Sequence, residues 1–532
     1  MMTTTNQDNL STPPYTGILR TKSFYLAVGL FLLLAFLLAG PRLFLHFWLN
    51  RDLGQESYFG SVRAGEIRLG LFYQNLSVKD LCLVGQTPEQ WIEVAEINIT
   101  ELSGRKFLKA MVGLDSWLEA AVDSKIEVRE IKSPGGFDPF KTIGLKTLSL
   151  SLKQSQPETE PTIGAGLGAE YLKITDLILD SRHTQRYLSA DSLSIFNYED
   201  TVLGGLVISG LEIFSDDRHL ELGGLTMSNM DVLQFISGIL EPHSTPNLVN
   251  TVQSIELAGL AYQVNQKEAL FLSQGFWENR TYENKEPDQS GDQPDNLVLN
   301  LKDLTVYPQA LNLVPAREAD PALKALAQVL GPQIKGELSF TLAPDYQEPA
   351  ASKSKSSSLL NLTVRDQGLL TVSLSADKSF FRTLITHNPS LLTLATAGIG
   401  HGAIKYTDQG FLTNWSFALA QETNVSPQEA LSRYTEPYWN HLANTGAFLN
   451  LNSLKAETEL FLQSPIAISL TWNPPANFPF SSLTKGQKGL PQLSGDNTEE
   501  IAKYYSYVIL KDLNLALTVN GRLPVLFQVA DP

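Results

Sequence analysis

Strict alternation of apolar and polar residues recurs along much of this chain of 532 residues. Leucine occupies positions 148, 150 and 152, and serine or lysine fills the positions between and after them. The same period appears at 297–302 and in two runs at 360–364 and 370–374, which flank Asp366-Gln367-Gly368. A period of two is typical of strands with one buried and one solvated face, and a short glycine-containing turn between two such runs predicts a hairpin. The sequence therefore predicts a mainly β, largely antiparallel fold with short helices, a β-rich α+β class with an elongated body.

One phrase recurs in which an apolar alternation meets a polar pair, then a leucine, then a second alternation. It begins at Leu76, Leu172, Leu206, Leu299 and Val508. The polar pair shifts the alternation by one residue, as a β-bulge or a tight bend does. We expect repeated strand-bend-strand units in which the polar pair lies at an exposed bend. The leucine after each pair should then be buried: Leu81, Leu177, Leu211, Leu304 and Leu513. Ordinary reuse of turn chemistry is the alternative.

A second repetition pairs 364–371 with 406–413, and both segments contain Asp-Gln-Gly. A predicted helix follows each copy, after Lys378 and after Ser426. The two segments are candidates for equivalent structural units, although β proteins also reuse such turns by chance.

Residues 24–40 form an uncharged apolar run. A helix of that length is roughly 25 Å long, near the lower limit for crossing a bilayer core. Arg20 and Lys22 precede the run, and basic flanks remain in the cytoplasm. A cleaved signal peptide is the main alternative, but Pro41 directly follows the only small-residue exit. A buried core helix is a second alternative. The predicted anchor residues are Phe24, Leu30, Leu34, Phe36, Leu38 and, for the far headgroup layer, Trp48.

The predicted organisation has four parts: a disordered cytoplasmic tail (1–19), a transmembrane anchor (20–49), a β-rich region with the repeated phrase (50–345) and a β-rich C-terminal region with helices (359–532). Segments rich in Pro, Gly, Ser or charge are candidate linkers or long loops. They cover 154–161, 278–296, 348–358 and 473–499.

Few helices are predicted. Candidates cover 111–122, 231–240 and 322–330. The clearest begins at Ser426, because Ser426 can cap, Pro427 suits the first turn and Glu429 completes a capping box. Its apolar stripe includes Tyr434 and Tyr438, with a kink expected at Pro437.

Three aromatic residues, Phe411, Trp415 and Phe417, are predicted to share one face of a strand. Together with Leu362 and Val372 they are candidates for an apolar groove open to a lipid chain. Packing inside a closed core is the alternative, since alternation alone does not distinguish a core from a groove.

Charge and motif content exclude several function classes. The net charge is −16 with a pI of about 5.0, whereas nucleic-acid binding needs a basic footprint. The single cysteine, Cys82, rules out an internal disulfide. The seven histidines show no metal-ligand spacing, and no nucleophile elbow or Walker motif occurs. The glycine-rich segments at 164–168 and 398–402 are expected to be turns, and Asp216, Asp217 and His219 a polar turn. We expect no enzyme, no cofactor and no metal.

The anchor, followed by Val62-Arg-Ala-Gly-Glu-Ile-Arg-Leu-Gly70 and Leu76-Ser-Val-Lys-Asp-Leu-Cys-Leu83, resembles the start of AsmA-like bacterial envelope proteins. The resemblance covers residues 20–100 and returns in fragments further on. It implies an inner-membrane anchor, a β-rich periplasmic body and, as in the larger members, an apolar groove involved in moving phospholipid. This chain is shorter than those members. The Asp-Gln-Gly unit is similar to that of YdgA-type periplasmic proteins.

The sequence therefore favours a non-enzymatic, single-pass protein of the bacterial inner membrane with its N-terminus in the cytoplasm and its bulk in the periplasm. It would shield or transfer lipid, or support outer-membrane biogenesis. The expected partners are the inner membrane and either phospholipid or another envelope protein, without nucleic acid. Two alternatives stay open: a structural or assembly factor that binds a partner protein through its β edges, and a periplasmic hydrolase.

Overall fold

The computed structural model describes residues 41–528 with gaps, of which the longest are 112–120, 155–166, 232–251, 280–295, 311–319, 345–354, 382–398 and 475–512. The chain divides into two compact units. The first comprises Met1–Ile174 and Leu179–His183, and the second comprises Thr175–Ile178 and Thr184–Pro532. Antiparallel strands dominate both units, which confirms the predicted β-rich class with short helices.

The first unit is a run of antiparallel strands with one short helix. The strands are β1 (Arg51–Asp52), β2 (Ser61–Arg63), β3 (Glu66–Leu69), β4 (Leu76–Val84), β5 (Trp91–Thr100), β6 (Lys125–Ser133) and β7 (Phe140–Gln154). The helix α1 spans Gly104–Met111, and the residues of β8 (Leu167–Ser181) are divided between the two units. Strands β2 and β3 both pair with β4, and from β4 to β7 each strand pairs with the next.

The two faces of β4–β6 differ sharply in chemistry. On one face Val78, Leu81, Val94 and Val128 are buried in a single cluster. The other face is charged: Glu96 lies 3.7 Å from the Lys79 ammonium and 3.4 Å from the Arg129 guanidinium, and other exposed ion pairs surround them. This division follows directly from the alternation in the sequence. Cys82 is half-buried in β4, and burial raises the pKa of its thiol.

The last residues of the predicted anchor that the structure describes belong to the first unit. Positions 43–47 are helical, and Leu45 is only 2% exposed in a cluster with Leu102 and Phe107 of the β5–α1 segment. Phe47, in the same turn, is 77% exposed. Within the predicted 20–49 anchor, Leu45 therefore contributes to the core of this unit, whereas Leu43 and Phe44 are exposed like Phe47.

The second unit is a longer run of strands in which each strand from β9 onward pairs antiparallel with the next. The strands are β9 (Arg186–Glu199), β10 (Val202–Ser215), β11 (Arg218–Asp231), β12 (Val252–Val264), β13 (Lys267–Asn279), β14 (Leu297–Val306), β15 (Ile334–Pro344), β16 (Lys355–Val364), β17 (Gly368–Asp377), β18 (Ile399–Asp408), β19 (Ala467–Trp472), β20 (Ala516–Val519) and β21 (Val525–Leu526). The predicted hairpin is confirmed as β16–β17, with Leu362 opposite Leu370. Strands β15 and β16, on either side of the predicted boundary at 345–359, pair directly.

The described helices of the second unit are α2 (Pro321–Leu330), α3 (Phe411–Thr423), α4 (Pro427–Thr445) and α5 (Leu451–Gln463). The predictions for α2 and α4 are confirmed. Asp320 caps α2 by accepting a hydrogen bond from the Ala322 amide, and the Ser426 hydroxyl accepts one from the Glu429 amide at 3.3 Å. The Glu429 carboxylate binds Arg433 at 2.6 Å.

Two helix predictions are not matched residue by residue. Helix α1 begins at Gly104, earlier than the predicted 111–122, most of which lies outside the described residues. Only Asp231 of the predicted 231–240 helix is described, as the last residue of β11.

The repeated phrase does contain a bend. The second residue of the polar pair has a left-handed backbone in the four phrases whose pairs are described: Asp80 (φ 52°), Asp176 (φ 51°), Gly210 (φ 59°) and Asp303 (φ 51°). Residues three apart across the bend, such as Val78 and Leu81, then lie in the same cluster. The strand register is unchanged across Asp80, since Lys79 opposes Glu96 and Leu81 opposes Val94. At Asp80 the bend therefore turns the strand over without inserting an unmatched residue, whereas across Asp303 the register of β14 against β15 shifts by one residue between Leu301 and Leu304.

Only part of the burial prediction for these phrases holds. Leu81 is buried, but Leu177, Leu211, Leu304 and Leu513 are half-buried. The expectation that every leucine after a pair would be buried is wrong, because the apolar face of the second unit is not covered along its whole length.

The two Asp-Gln-Gly segments are not equivalent structures. In the first copy Asp366-Gln367-Gly368 makes the β16–β17 turn, whereas in the second the segment ends β18 and begins α3. The copies contact each other: the Gln367 carbonyl accepts hydrogen bonds from the Gln409 amide at 3.0 Å and from the Tyr406 hydroxyl at 3.2 Å.

Candidate functional site

The most distinctive feature of the second unit is a row of apolar side chains that crosses its sheet without interruption. Each member lies directly opposite the next in the strand register, and one comes from each strand from β9 to β20. The members of this first apolar row are Ile195, Leu206, Met227, Ile255, Trp277, Leu299, Phe340, Leu360, Val372, Ile404, Leu470 and Leu517.

A second apolar row runs beside the first, two residues away along each strand. One position, Gly275, lacks a side chain, and Tyr406 carries the only hydroxyl. The members are Leu193, Ile208, Leu225, Leu257, Gly275, Leu301, Leu338, Leu362, Leu370, Tyr406, Ile468 and Val519. Residues two apart on a strand point to the same face, so the two rows form one apolar face. With strands roughly 4.8 Å apart, its path along the sheet is on the order of 50 Å.

The positions between the two rows point to the opposite face, and most of them are polar. That row comprises Ser194, Val207, Thr226, Glu256, Phe276, Asn300, Ser339, Asn361, Thr371, Lys405, Ser469 and Thr518. A shallow hollow of about 470 Å³ lies on this polar face over Gly224 and Ala258. The sheet therefore separates an apolar surface from a polar one across all these strands.

The apolar face is only partly covered. Most members of both rows, including Val372 and Leu362, are half-buried, and Ile404 is 41% exposed. A fully packed core would bury such side chains almost completely. Met227, Gly275, Leu517 and Val519 are the buried exceptions.

Described helical residues reach this face at two places. Phe381 packs with Leu297, Leu342 and Ala376 beside the first row. At the C-terminal end, Leu454 and Phe461 of α5 pack on Leu517 and Val519. In between, half-exposed aliphatic side chains make up the surface, and such a surface is typical of a ligand groove or an interaction site.

Two of the predicted groove residues lie on this face and three do not. Val372 belongs to the first row and Leu362 to the second. Phe411, Trp415 and Phe417 lie on helix α3, so the prediction that they alternate along a strand is wrong. Trp415 donates a hydrogen bond to the Ala322 carbonyl at 3.3 Å and packs against the alanine-rich contact of α2 with α3, whereas Phe417 is 57% exposed.

Asp408 explains why a helix forms where a strand is predicted. Its carboxylate accepts hydrogen bonds from the Gly410 amide at 2.9 Å and the Leu412 amide at 3.0 Å. Amides at the start of a helix have no partner within the helix, so this carboxylate stabilises the first turn of α3. Phe411 and Trp415 are four residues apart and so share one side of that helix.

The predicted anchor residues cannot be placed. Phe24, Leu30, Leu34, Phe36, Leu38 and Trp48 lie outside the described residues. Within the part of the chain that the structure describes, no helix combines the length and the apolar character needed to cross a bilayer.

The described residues contain no cluster of three or more His, Cys, Asp or Glu side chains suited to holding a metal ion. His219 stacks on Phe214 with ring centroids 3.8 Å apart and lies 3.4 Å from Glu221. The glycine-rich segment at 398–402 overlaps the first residues of strand β18 and is not simply a turn.

A cavity of about 340 Å³, which the sequence did not reveal, lies between the C-terminal end of the apolar rows and the helices α4 and α5. Its walls are almost entirely apolar. On the strand side of this cavity the sequence does carry a signal, because Ile404 and Tyr406, and likewise Ile468 and Leu470, are apolar or aromatic residues two positions apart on one strand. The helical side depends on tertiary packing and has no sequence signal of its own.

Comparisons with protein-family models, with curated proteins and with solved structures find no match to this chain.

Proposed function

We propose that this chain is a membrane-anchored, non-enzymatic protein of the bacterial cell envelope, of AsmA-like type, that shields or transfers lipid by holding acyl chains on the apolar face of its second unit. One helix near the N-terminus would anchor it in the inner membrane, with the N-terminus in the cytoplasm and the β body in the periplasm. Phospholipid is the proposed ligand, and a role in outer-membrane biogenesis follows from that activity.

The observation that supports this proposal is the pair of apolar rows. Exposed aliphatic surface is unfavourable in water by roughly 25 cal/mol for each Å². An acyl chain lying across the strands would cover Leu360, Val372 and Ile404 in turn, because they are direct neighbours in the register. The polar row on the other face would stay in water.

Site-specific photocrosslinking tests the proposal. A benzophenone amino acid at Val372 should form a phospholipid adduct in cells, which mass spectrometry of the purified protein detects. The matched control is Thr371, the preceding residue, which faces the opposite side of the sheet. Absence of lipid at Val372, or equal yields at both positions, would contradict lipid binding on this face.

The orientation has its own test. Protease added to intact spheroplasts should digest the β body, whereas protection until the membrane is opened would reverse the proposed topology.

Partner binding through β edges is the other candidate. The described outer strands β1 and β21 are only two residues long, and short edge strands discourage added strands. A protein adduct at Val372 in place of lipid would favour this alternative.

A further inference from the structure

The cavity at the C-terminal end of the apolar rows is a partly enclosed continuation of the open face. Ile404, Leu470 and Leu517, all members of the first row, form its floor, while Trp439, Leu442 and Leu454 contribute from α4 and α5. The first row therefore continues into a space of about 340 Å³ beneath the helices.

The hydroxyl groups at this cavity are already engaged. The Tyr406 hydroxyl donates to the Asp408 carboxylate at 2.7 Å, and the Thr458 hydroxyl donates to the Leu454 carbonyl at 2.9 Å. Neither hydroxyl is oriented toward a polar ligand, so the walls select an apolar one.

The size and chemistry of the cavity suit a hydrocarbon. An apolar cavity of roughly 150 Å³ stays dry and takes up a molecule the size of benzene, and small-molecule sites begin at roughly 300 Å³. The cavity here falls at the lower end of that range. Ile404 lies on its floor and is 41% exposed, which connects the cavity to the open face.

We infer that this cavity binds the terminal part of a single fatty acyl chain, which enters along the first apolar row. The inference rests on the proposed function and deepens it: the C-terminal helices make one saturable acyl-chain site at the end of the face. The ligand class is a long-chain fatty acyl group, whether from a phospholipid or from a free fatty acid.

Palmitic acid with a diazirine at its methyl end is the probe for this site. Illumination of the purified full-length protein in detergent should give saturable labelling with a stoichiometry near one. Peptide mapping should place the adduct within 404–406, 439–454 or 468–470. Labelling that does not saturate, or that maps only elsewhere, would overturn the inference. This measurement uses the unaltered protein, so it does not depend on any variant folding.

A matched pair of variants sharpens the test. Leu442→Trp adds a large side chain to the cavity and should weaken palmitate labelling at least tenfold. Leu449→Trp makes the same change at a position that is 72% exposed and does not line the cavity, so it should label like the parent. Equal labelling of the two variants, with circular dichroism spectra like that of the parent, would also overturn the inference.

The two proposals can fail separately. Palmitate adducts outside the cavity, together with phospholipid adducts at Val372, would remove the terminal site and leave lipid binding on the open face. Palmitate adducts in the cavity without any lipid adduct at Val372 would support the terminal site and contradict lipid binding on the open face. A phospholipid carrying the same diazirine on one acyl chain distinguishes the two ligand sources.

Discussion

The Tyr406 hydroxyl donates a hydrogen bond of 2.7 Å to the Asp408 carboxylate, and that carboxylate also accepts hydrogen bonds from the Gly410 and Leu412 amides at the start of helix α3. The end of strand β18 and the start of α3 are therefore linked through the Asp408 side chain. Burial, and then the hydrogen bond to Asp408, raise the pKa of Tyr406 above its ordinary value.

This relationship predicts the effect of Tyr406→Phe. Loss of the hydrogen bonds to Asp408 and to the Gln367 carbonyl should lower the free energy of unfolding of the second unit by about 1–2 kcal/mol. Urea denaturation of the parent and the variant measures the difference. The change Tyr438→Phe, at a tyrosine that is 62% exposed, is the control and should have little effect.

The same residue predicts a loss of stability in alkali. In the unfolded chain Tyr406 loses its proton around its ordinary pKa of 10.0, whereas the folded protein retains it to higher pH. The stabilisation that the folded protein gains from the protonated Tyr406 hydroxyl is therefore complete below pH 10.0. It is lost as the pH rises above 10.0, by up to about 1.4 kcal/mol per pH unit. Tyr406→Phe should make the decline of stability with pH less steep. An identical slope in both proteins would argue against this assignment.

Val372→Glu distinguishes an open face from a closed core. Because Val372 is half-buried, we expect the free energy of unfolding to fall by less than about 2 kcal/mol, while phospholipid co-purification is lost. Thr371→Glu, on the polar face, should preserve both properties. Unfolding of the Val372 variant, with no lipid co-purifying from the parent, would instead indicate a packed core and count against lipid transfer.

Gly210→Ala tests the bend in the repeated phrase. Gly210 has a φ of 59°, and an added Cβ would overlap the Asp191 side chain on the neighbouring strand. Gly521 also has a positive φ, 74°, with no atom within 4 Å of an added Cβ. The Gly521→Ala variant should therefore show only the backbone cost, about 1 kcal/mol, and Gly210→Ala should lose at least about 1 kcal/mol more. Equal losses in chemical denaturation would mean that the close strand approach is unimportant.

Leu45→Ala tests the packing of the C-terminal part of the predicted anchor. Removing this buried side chain should cost about 2–5 kcal/mol in the first unit, seen as faster hydrogen exchange of the β4–β6 amides. Phe47→Ala, at an exposed position, should change stability by no more than about 0.5 kcal/mol. Unchanged hydrogen exchange in the Leu45 variant would indicate that residues 43–47 do not stabilise the core of the first unit.

Sequence periodicity predicted individual strands well because each strand has one apolar and one polar side. The β16–β17 hairpin, with Leu362 opposite Leu370, could be read directly from the alternation and the intervening turn. The capped start of α4 was equally readable, since Ser426 stands directly before Pro427. Helix α2 was predicted over 322–330 without its cap, Asp320.

The candidate site could not be predicted as a whole. Whether Val372 and Ile404 share a row depends on the register between strands, which alternation within one strand does not determine. The left-handed bends add a further difficulty, because each one exchanges the two sides of a strand. Helix α3 was missed because the carboxylate that stabilises its start, Asp408, belongs to the preceding strand.

The order of strands in the second unit has a consequence for how the protein reaches its folded state. From β9 to β20 every strand pairs with its immediate neighbour in sequence. The longest connection contains helices α3, α4 and α5 and lies between β18 and β19, where Gly402 opposes Trp472. Loop closure between neighbouring strands is the least costly kind in entropy, and topologies of this kind fold faster than those with distant pairings. Because synthesis proceeds from the N-terminus, the strands of this sheet can therefore pair in the order in which they are made.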